Sequence, residues 1–545
     1  MQVRRAQWFA FAVQVRYNGF MTSTTSTVSL ILAILLLTYL GMGILYALYT
    51  PAWQVPDEPA HYNYVRHLAE TGCFPVLQMG DYPHEYLEEI KARRFPPDLS
   101  IDPIRYEFHQ PPLYYLLAGP VFWLSGGCPL PLRLLSVALG GVLLLVAYGV
   151  VRTIFPRQSA LALGATAFVA FVPMHLAMTA GVENDTLAEL LLAIVVLLSV
   201  RHIAEGSEVR RGTWRRLALL GIVLGLVLVT KTTAYAAVPV TLVAVVWEWR
   251  IAYHASPITR HASRSEGWRS LGWRLLVSFG PALAIALPWY VRNGIVYGWS
   301  DVTGLRWHDA VVVGQPRTAE WIARYGWGDF LRRFADFSFK SFWGVFGWMG
   351  VFLDSRIYLA LGLLTVVVAV GFLALVARRG WSRAGRDARE KRGLKELREA
   401  GGSPGERGGT WRQLVLLGVW VGWTALQYLA YNVTFVQHQG RYLFPALIPI
   451  GLAFALGWRE ALRPRMSRRL AALLGFLVLA LAVVGMVTGD WPMWSLVFCA
   501  AGALGLFIRP WLPRRLDSLL FALPFIGLAV LDLVSLFVFI VPQLS

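Results

Sequence analysis

Charge and cysteine are scarce in this chain. Only 15% of its 545 residues are charged, 32 acidic against 50 basic, and there are three cysteines. No internal repeat is visible. No cleavable signal peptide opens the sequence, because its first apolar run is too long for a signal h-region and has no small-residue cleavage site. What fills the space is apolar: 56% of residues are hydrophobic, against roughly 45–50% in a soluble globular protein. The excess falls in runs of about 17–25 residues, the length that crosses a bilayer as a helix. A soluble fold is excluded, and the chain reads as an all-α polytopic membrane protein.

The net charge of +18 does not point to nucleic acid, because the basic residues form short clusters between apolar blocks. Arg201 to Arg216 holds five arginines against two acids, and Arg459 to Arg469 holds five against one. Arg378 to Arg412 holds eleven Lys or Arg against five acids and includes GGSPGERGG, a flexible linker by composition. Such clusters mark cytoplasmic loops. About thirteen spans follow from this bias, with the N-terminus inside and the C-terminus outside. They are expected at 26–49, 132–154, 159–179, 185–203, 215–230, 234–249, 271–290, 356–377, 413–433, 442–458, 470–488, 494–508 and 517–541. Residues 1–25, with Arg4, Arg5 and Arg16, read as a basic cytoplasmic segment, with Met21 as an alternative start.

Two large extracytoplasmic loops are expected, 50–130 and 291–355. The first carries ten acids against five Lys or Arg. Within it, PPLYYLLAGPVFWLSGG at 111–127 is apolar but short and proline-flanked. Counting it as a span would reverse every later loop against the charge bias, so it reads as a re-entrant or interfacial helix.

This topology gathers the unusual polar residues on one face: Asp57, Glu58, His61, His109, Glu183, Asn184, Asp185, Lys231, Arg292, His438, Gln439 and Arg441. Ionisable groups near membrane depth are costly and mark candidate sites. Each also has a plainer role. Asp57 and Glu58 stand at a helix start, where acids suit the positive end of the macrodipole. Yet Asp57, His61 and Tyr64 share a helical face, and a carboxylate beside an imidazole suits base chemistry or a metal. Asp57, His61 and His109 are the candidate ligands should a divalent metal be bound. Lys231, Arg292 and Arg441 sit at outer helix ends, where they either snorkel to headgroups or clamp a phosphate. Glu183 and Asp185 either start a helix or join the site. Cys499 falls in a span and packs as a small apolar residue. Cys73 and Cys128 fall on the oxidising side, where a disulfide between them is expected.

VPDEPAHYNYVRHLAETG at 55–72 resembles the first outer loop of the GT-C class of membrane glycosyltransferases, where a P-D-E segment opens a juxtamembrane helix. HQPPLYYLLAGPVFWL is similar to the second juxtamembrane segment, and RLLSVALGGVLLLVAYGVVRTIF to the helix after it. GVENDTLAELL, TKTTAYAAVP, SFWGVFGW and QGRYLFPALIPI resemble segments of bacterial members. The nearest named groups are the protein O-mannosyltransferases and the lipid A aminoarabinose transferases. The resemblance covers about 40–460; residues 470–545 add helices without motifs.

The resemblance implies a GT-C type fold: a transmembrane catalytic domain over 26–460, with juxtamembrane helices in the first large loop. It implies a multi-pass protein of a bacterial-type plasma membrane. It implies an inverting transfer of a sugar from a polyprenyl-phosphate-linked donor to an acceptor hydroxyl on the extracytoplasmic face. The partners are then the lipid-linked donor, membrane lipids and an acceptor that is a protein, a lipid or a glycan. Asp57 is the implied catalytic carboxylate, with Glu58 beside it. His61, Tyr64, His109, Glu183, Asp185, Lys231, Arg292 and Arg441 are the substrate-binding candidates. Relatives often place a charged residue before P-P, where this chain has His109-Gln110. The rival readings are a transporter or flippase of lipid-linked glycans and a lipid-binding scaffold. Transporters favour repeated halves and midplane sites, a pattern this sequence lacks.

Overall fold

The computed structural model describes residues 2–204, 213–255, 264–397 and 409–545. Residues 205–212 of the first basic cluster and 401–408 of the expected linker lie outside the described residues. The first half of the chain forms α1 (Gln2–Tyr49), α2 (Glu58–Thr71), α3 (His84–Ala92), α4 (Leu113–Leu124), α5 (Pro129–Ile154), α6 (Ser159–Ala170), α7 (Pro173–Thr179), α8 (Asp185–Ala204), α9 (Thr213–Leu228) and α10 (Ala237–Ala255). The second half forms α11 (Arg264–Tyr297), α12 (Leu305–Val311), α13 (Thr318–Trp343), α14 (Ser355–Leu397), α15 (Gly409–Thr434), α16 (Leu447–Ala461), α17 (Pro464–Thr488), α18 (Met493–Ile508), α19 (Asp517–Val534) and α20 (Val541–Leu544). The only sheet among the described residues is a two-residue hairpin, β1 (Val345–Phe346) with β2 (Val351–Phe352).

Among the described residues, eleven helices are long and apolar enough to cross a membrane, and the pair α6–α7 makes a twelfth crossing if taken as one. This is a multi-pass membrane protein, and one of the thirteen expected spans departs from expectation. The span expected at 159–179 is broken, its halves bent by 64°. Pro173 disfavours helix at the residue before it, and Val172 is extended, at φ −76° and ψ 114°. The span expected at 215–230 coincides with α9, whose described residues run from Thr213 to Leu228.

Small residues let the helices approach closely, as in other membrane bundles. A Cβ on Gly371 of α14 would fall 2.3 Å from the Gly457 carbonyl oxygen of α16. At one end, α2, α3 and α4 fold over the bundle and meet the α12–α13 segment and the hairpin. Trp348 Nε1 donates to the Trp53 carbonyl at 2.9 Å. Arg94 Nη1 donates to the Ser545 carbonyl at 2.7 Å, so the first loop is tied to the end of α20. At the opposite end arginines are matched locally: Arg378 and Arg463 on Glu460, Arg274 on Glu248.

The expected Cys73–Cys128 disulfide is not formed; both thiols are free and exposed. The turn before Cys128 meets α2 at Tyr62, whose hydroxyl donates to the Gly127 carbonyl at 2.7 Å. α2 runs about 14 Å further from Tyr62 to its end at Thr71, at 1.5 Å per residue, and Cys73 lies beyond that end. A disulfide needs Cα atoms within about 7 Å.

Candidate active site

α1 ends at Tyr49, and seven residues of turn lead to Asp57, the residue before α2. Asp57 is left-handed, φ 69°, a conformation that aspartate tolerates better than most residues. Its side chain makes no cap bond to α2. Instead Oδ1 accepts from the Tyr106 hydroxyl at 2.8 Å, and Oδ2 accepts from Arg441 Nη2 at 2.8 Å. Burial alone would raise its pKa, but the Arg441 charge and the Tyr106 hydroxyl outweigh it and hold the carboxyl down at about 2.

Arg441 stands in a 3-10 turn, Gly440–Ala446, at the entry to α16. Gly440 lets this turn press against α13: a Cβ there would lie 2.2 Å from the Ser338 carbonyl oxygen. Gln439 Oε1 accepts from Arg441 Nε at 2.6 Å and steadies the guanidinium. A second ion pair stands beside the first. Lys231 Nζ, between α9 and α10, lies 2.7 Å from Asp185 Oδ1 at the start of α8. Burial opposes its charge, but Asp185, Glu107 and Glu183 more than offset this and keep the ammonium charged.

Both pairs line one cavity of about 780 Å³. Its wall also carries Tyr106, Glu107, His109, His308, Tyr442 and, from α15, Thr424, Gln427, Tyr428 and Tyr431. α3 contributes His84, Glu88 and Lys91 at the loop side. The cavity is thus bounded by the first outer loop, the Lys231 turn, α12, α15 and the Arg441 turn. The His109 ring lies 4.4 Å from that of His308; burial and this neighbour push its pKa well below the ordinary range, so it is neutral.

Several expected site residues stand elsewhere. Glu58 is fully buried and saturated. Arg133 Nε donates to Oε1 at 2.7 Å and Nη2 to Oε2 at 2.6 Å, while the backbone N–H groups of Trp53 and Val182 take the remaining positions. No oxygen is left for a substrate, so Glu58 is corrected from a catalytic to an architectural carboxylate. His61 and Tyr64 lie behind the cavity rather than in its wall. His61 Nδ1 pairs with the Tyr115 hydroxyl at 2.8 Å, and the Tyr64 ring stacks on Tyr115 at 3.5 Å. The stacking explains the displacement: both rings of the α2 face are consumed by packing against α4. Arg292 is held away as well. It reaches the Pro75 carbonyl and stacks over Trp289 at 4.8 Å, so it anchors the first loop. Glu183 opens on a small adjoining cavity of about 20 Å³ with Asp185 and Arg441. Burial and Asp185 raise its pKa well above normal.

The metal candidates do not converge. Among the described residues no three His, Cys, Asp or Glu side chains are placed to hold an ion, and the oxygens of Asp57 are already bound. Sequence reasoning passed over Tyr106 and Arg133. Tyr106 carries no motif. Arg133 looks like any arginine at a helix start, and only its partners reveal its role.

A family described as dolichyl-phosphate-mannose-protein mannosyltransferase matches residues 109–260. No curated protein matches the chain. Among solved structures, the ArnT of Cupriavidus metallidurans bound to undecaprenyl phosphate is 16% identical, over 94% of this chain and 77% of that one, with a TM-score of 0.43. The S. cerevisiae protein O-mannosyltransferase Pmt1–Pmt2 complex bound to its sugar donor is also 16% identical, over 49% of this chain, with a TM-score of 0.36. This chain spans only 34% of that chain. The Archaeoglobus fulgidus oligosaccharyltransferase with a tethered acceptor peptide is 14% identical, over 91% of this chain and 55% of that one, with a TM-score of 0.41. The GT-C resemblance and the mannosyltransferase-family match thus coincide at 109–260, from His109 through Asp185 to Lys231 and beyond.

Proposed function

We propose that this protein is an inverting glycosyltransferase that moves a sugar from a polyprenyl-phosphate-linked donor to an acceptor hydroxyl, on the extracytoplasmic face of the membrane. The observation that carries this reading is the contact between Asp57 and Arg441 in the wall of the large polar cavity. It brings a carboxylate fit for proton abstraction beside a cation fit for a leaving phosphate. The match to a family named for a dolichyl-phosphate sugar donor supports the donor class.

The donor's lipid tail stays in the bilayer and its phosphate lies at the boundary, where Lys231 and Arg441 stand. The acceptor hydroxyl attacks the anomeric carbon from the side opposite the phosphate. Its oxygen forms the new bond, its proton passes to an Asp57 oxygen, and the bond from the anomeric carbon to the phosphate oxygen breaks. The departing polyprenyl phosphate keeps that electron pair, and Arg441 and Lys231 stabilise the charge. Before donor arrives, Asp57 is a weak base because Arg441 and Tyr106 occupy its oxygens. A phosphate that draws Arg441 away makes Asp57 more basic at the moment a proton must be taken.

The test is reconstitution with a panel of polyprenyl-phosphate sugars and candidate acceptors, reading release of free polyprenyl phosphate. Release that requires an acceptor, with inverted product stereochemistry, supports the reading. Sugar moved across the bilayer with the donor intact would replace it with transport.

A further inference from the structure

α10 and α15 run side by side from the active-site cavity to the other end of the bundle. At the active-site end Gln427 Nε2 of α15 donates to the Thr232 carbonyl at 3.0 Å. At the far end both helices line a second cavity of about 820 Å³. Its walls include Leu242, Val246 and Trp247 of α10 and Trp411 of α15, and its rim is Arg250 and Arg412. The candidate spans Thr232–Ile251 and Trp411–Thr434 each begin or end here, so the rim stands at the membrane boundary opposite the active site.

Three features of this rim point to an anion. The Trp247 and Trp411 rings meet edge to face at 4.9 Å, an aromatic floor at headgroup depth. The Arg412 guanidinium leans on Trp411, 5.9 Å from the ring centre, and its Nε is buried with no hydrogen-bond acceptor. Other arginines of this end are matched, Arg274 by Glu248, Arg463 by Glu460 and Arg509 by Asp517. Arg250 and Arg412 have no acidic partner among the described residues.

We propose that this cavity binds one anionic phospholipid, its phosphate between Arg250 and Arg412 and its acyl chains along Leu242, Val246 and Trp247. Guanidinium groups recognise phosphate through paired N–H donors, and the apolar wall suits a chain that a free anion lacks. The site is separate from the Asp57 cavity, and its proposal does not depend on the sugar-transfer reading.

The experiment is native mass spectrometry of the full-length protein offered phosphatidylglycerol and phosphatidylcholine at equal concentration, without any polyprenyl lipid. Phosphatidylglycerol should bind more tightly by about fivefold for each arginine engaged. Arg250→Gln with Arg412→Gln should bring the preference close to one, and the paired lysine substitutions should keep most of it. Arg468→Gln, at the same end but outside the cavity, should change nothing. Equal binding of the two lipids by the wild type would overturn the site, as would a preference that survives the paired glutamine substitutions. Displacement of phosphatidylglycerol by equimolar inorganic phosphate would overturn the lipid assignment. Melting of each variant in phosphatidylcholine separates lost binding from lost folding.

Discussion

Asp57 and Glu58 are adjacent carboxylates, each paired with an arginine, and they belong to two different regions. The Asp57–Arg441 pair lies in the cavity wall, with 29% of the aspartate side chain and 10% of the arginine exposed. The Glu58–Arg133 pair lies in the joint behind it, at 0% and 5%. In the joint, Arg133 also donates to the Ala47, Thr50 and Pro51 carbonyls, so one guanidinium fastens the end of α1 to the start of α2. The first pair has a face left for a ligand and the second has none. A carboxylate's neighbours, not its position in a motif, decide whether it does chemistry or holds the scaffold that positions one that does.

The comparison breaks or stands on substitutions at both places. Asp57→Asn keeps shape and removes the base, so turnover should fall by about 10²–10⁴ while the protein still folds at neutral pH; near-normal turnover would remove Asp57 from the chemistry. Arg133→Ala leaves a buried charge unpaired and should destabilise the fold by about 3–5 kcal/mol, seen as a lowered midpoint of thermal unfolding in detergent. A wild-type midpoint there would mean that the joint does not bear on stability.

Smaller effects sharpen the picture. Arg441→Gln and Lys231→Gln each remove a charged donor from the proposed phosphate, and each should weaken donor use about ten- to a hundredfold. Donor kinetics unchanged in both would exclude them from the leaving-group site. Tyr106→Phe should act mainly through Asp57. With one hydrogen bond gone, the acid limb of kcat/KM should move up from its low position towards the ordinary carboxylate range. A purely structural Tyr106 would instead lower activity at every pH alike.

Acid should also weaken the fold through Asp57. Its folded-state pKa, about 2, lies below the ordinary 3.8, so its stabilising contribution is complete above the ordinary value. The contribution is lost as pH falls from there through the folded value, because the unfolded chain takes up the proton first. Unfolding midpoints for the wild type and Asp57→Asn should therefore converge over that window.

Much of the scaffold was legible because lipid imposes length and apolarity on each span, and both are written residue by residue. The broken span at 159–179 shows where that reading fails. Pro173 was visible, but whether it would kink a span or break it depends on what packs against the freed backbone. At the site, Asp57, Asp185, Lys231 and Arg441 were each recognisable as costly charges near the boundary. That Asp57 would face Arg441, 384 residues away, was not.

By itself the sequence determined the membrane class, most of the spans and the short set of charged residues near one boundary, since burying charge or exposing apolar surface is costly wherever the chain runs. Only the tertiary structure decided which charges meet. It turned Glu58 inward to Arg133 and left Asp57 to Tyr106 and Arg441. It spent His61 and Tyr64 on packing with Tyr115, drew Arg292 to the Pro75 carbonyl, and kept Cys73 apart from Cys128. The physical reason is range: apolarity and helix length are local properties of consecutive residues, whereas an ion pair or a disulfide is set by angstrom-scale distances between helices far apart in the chain.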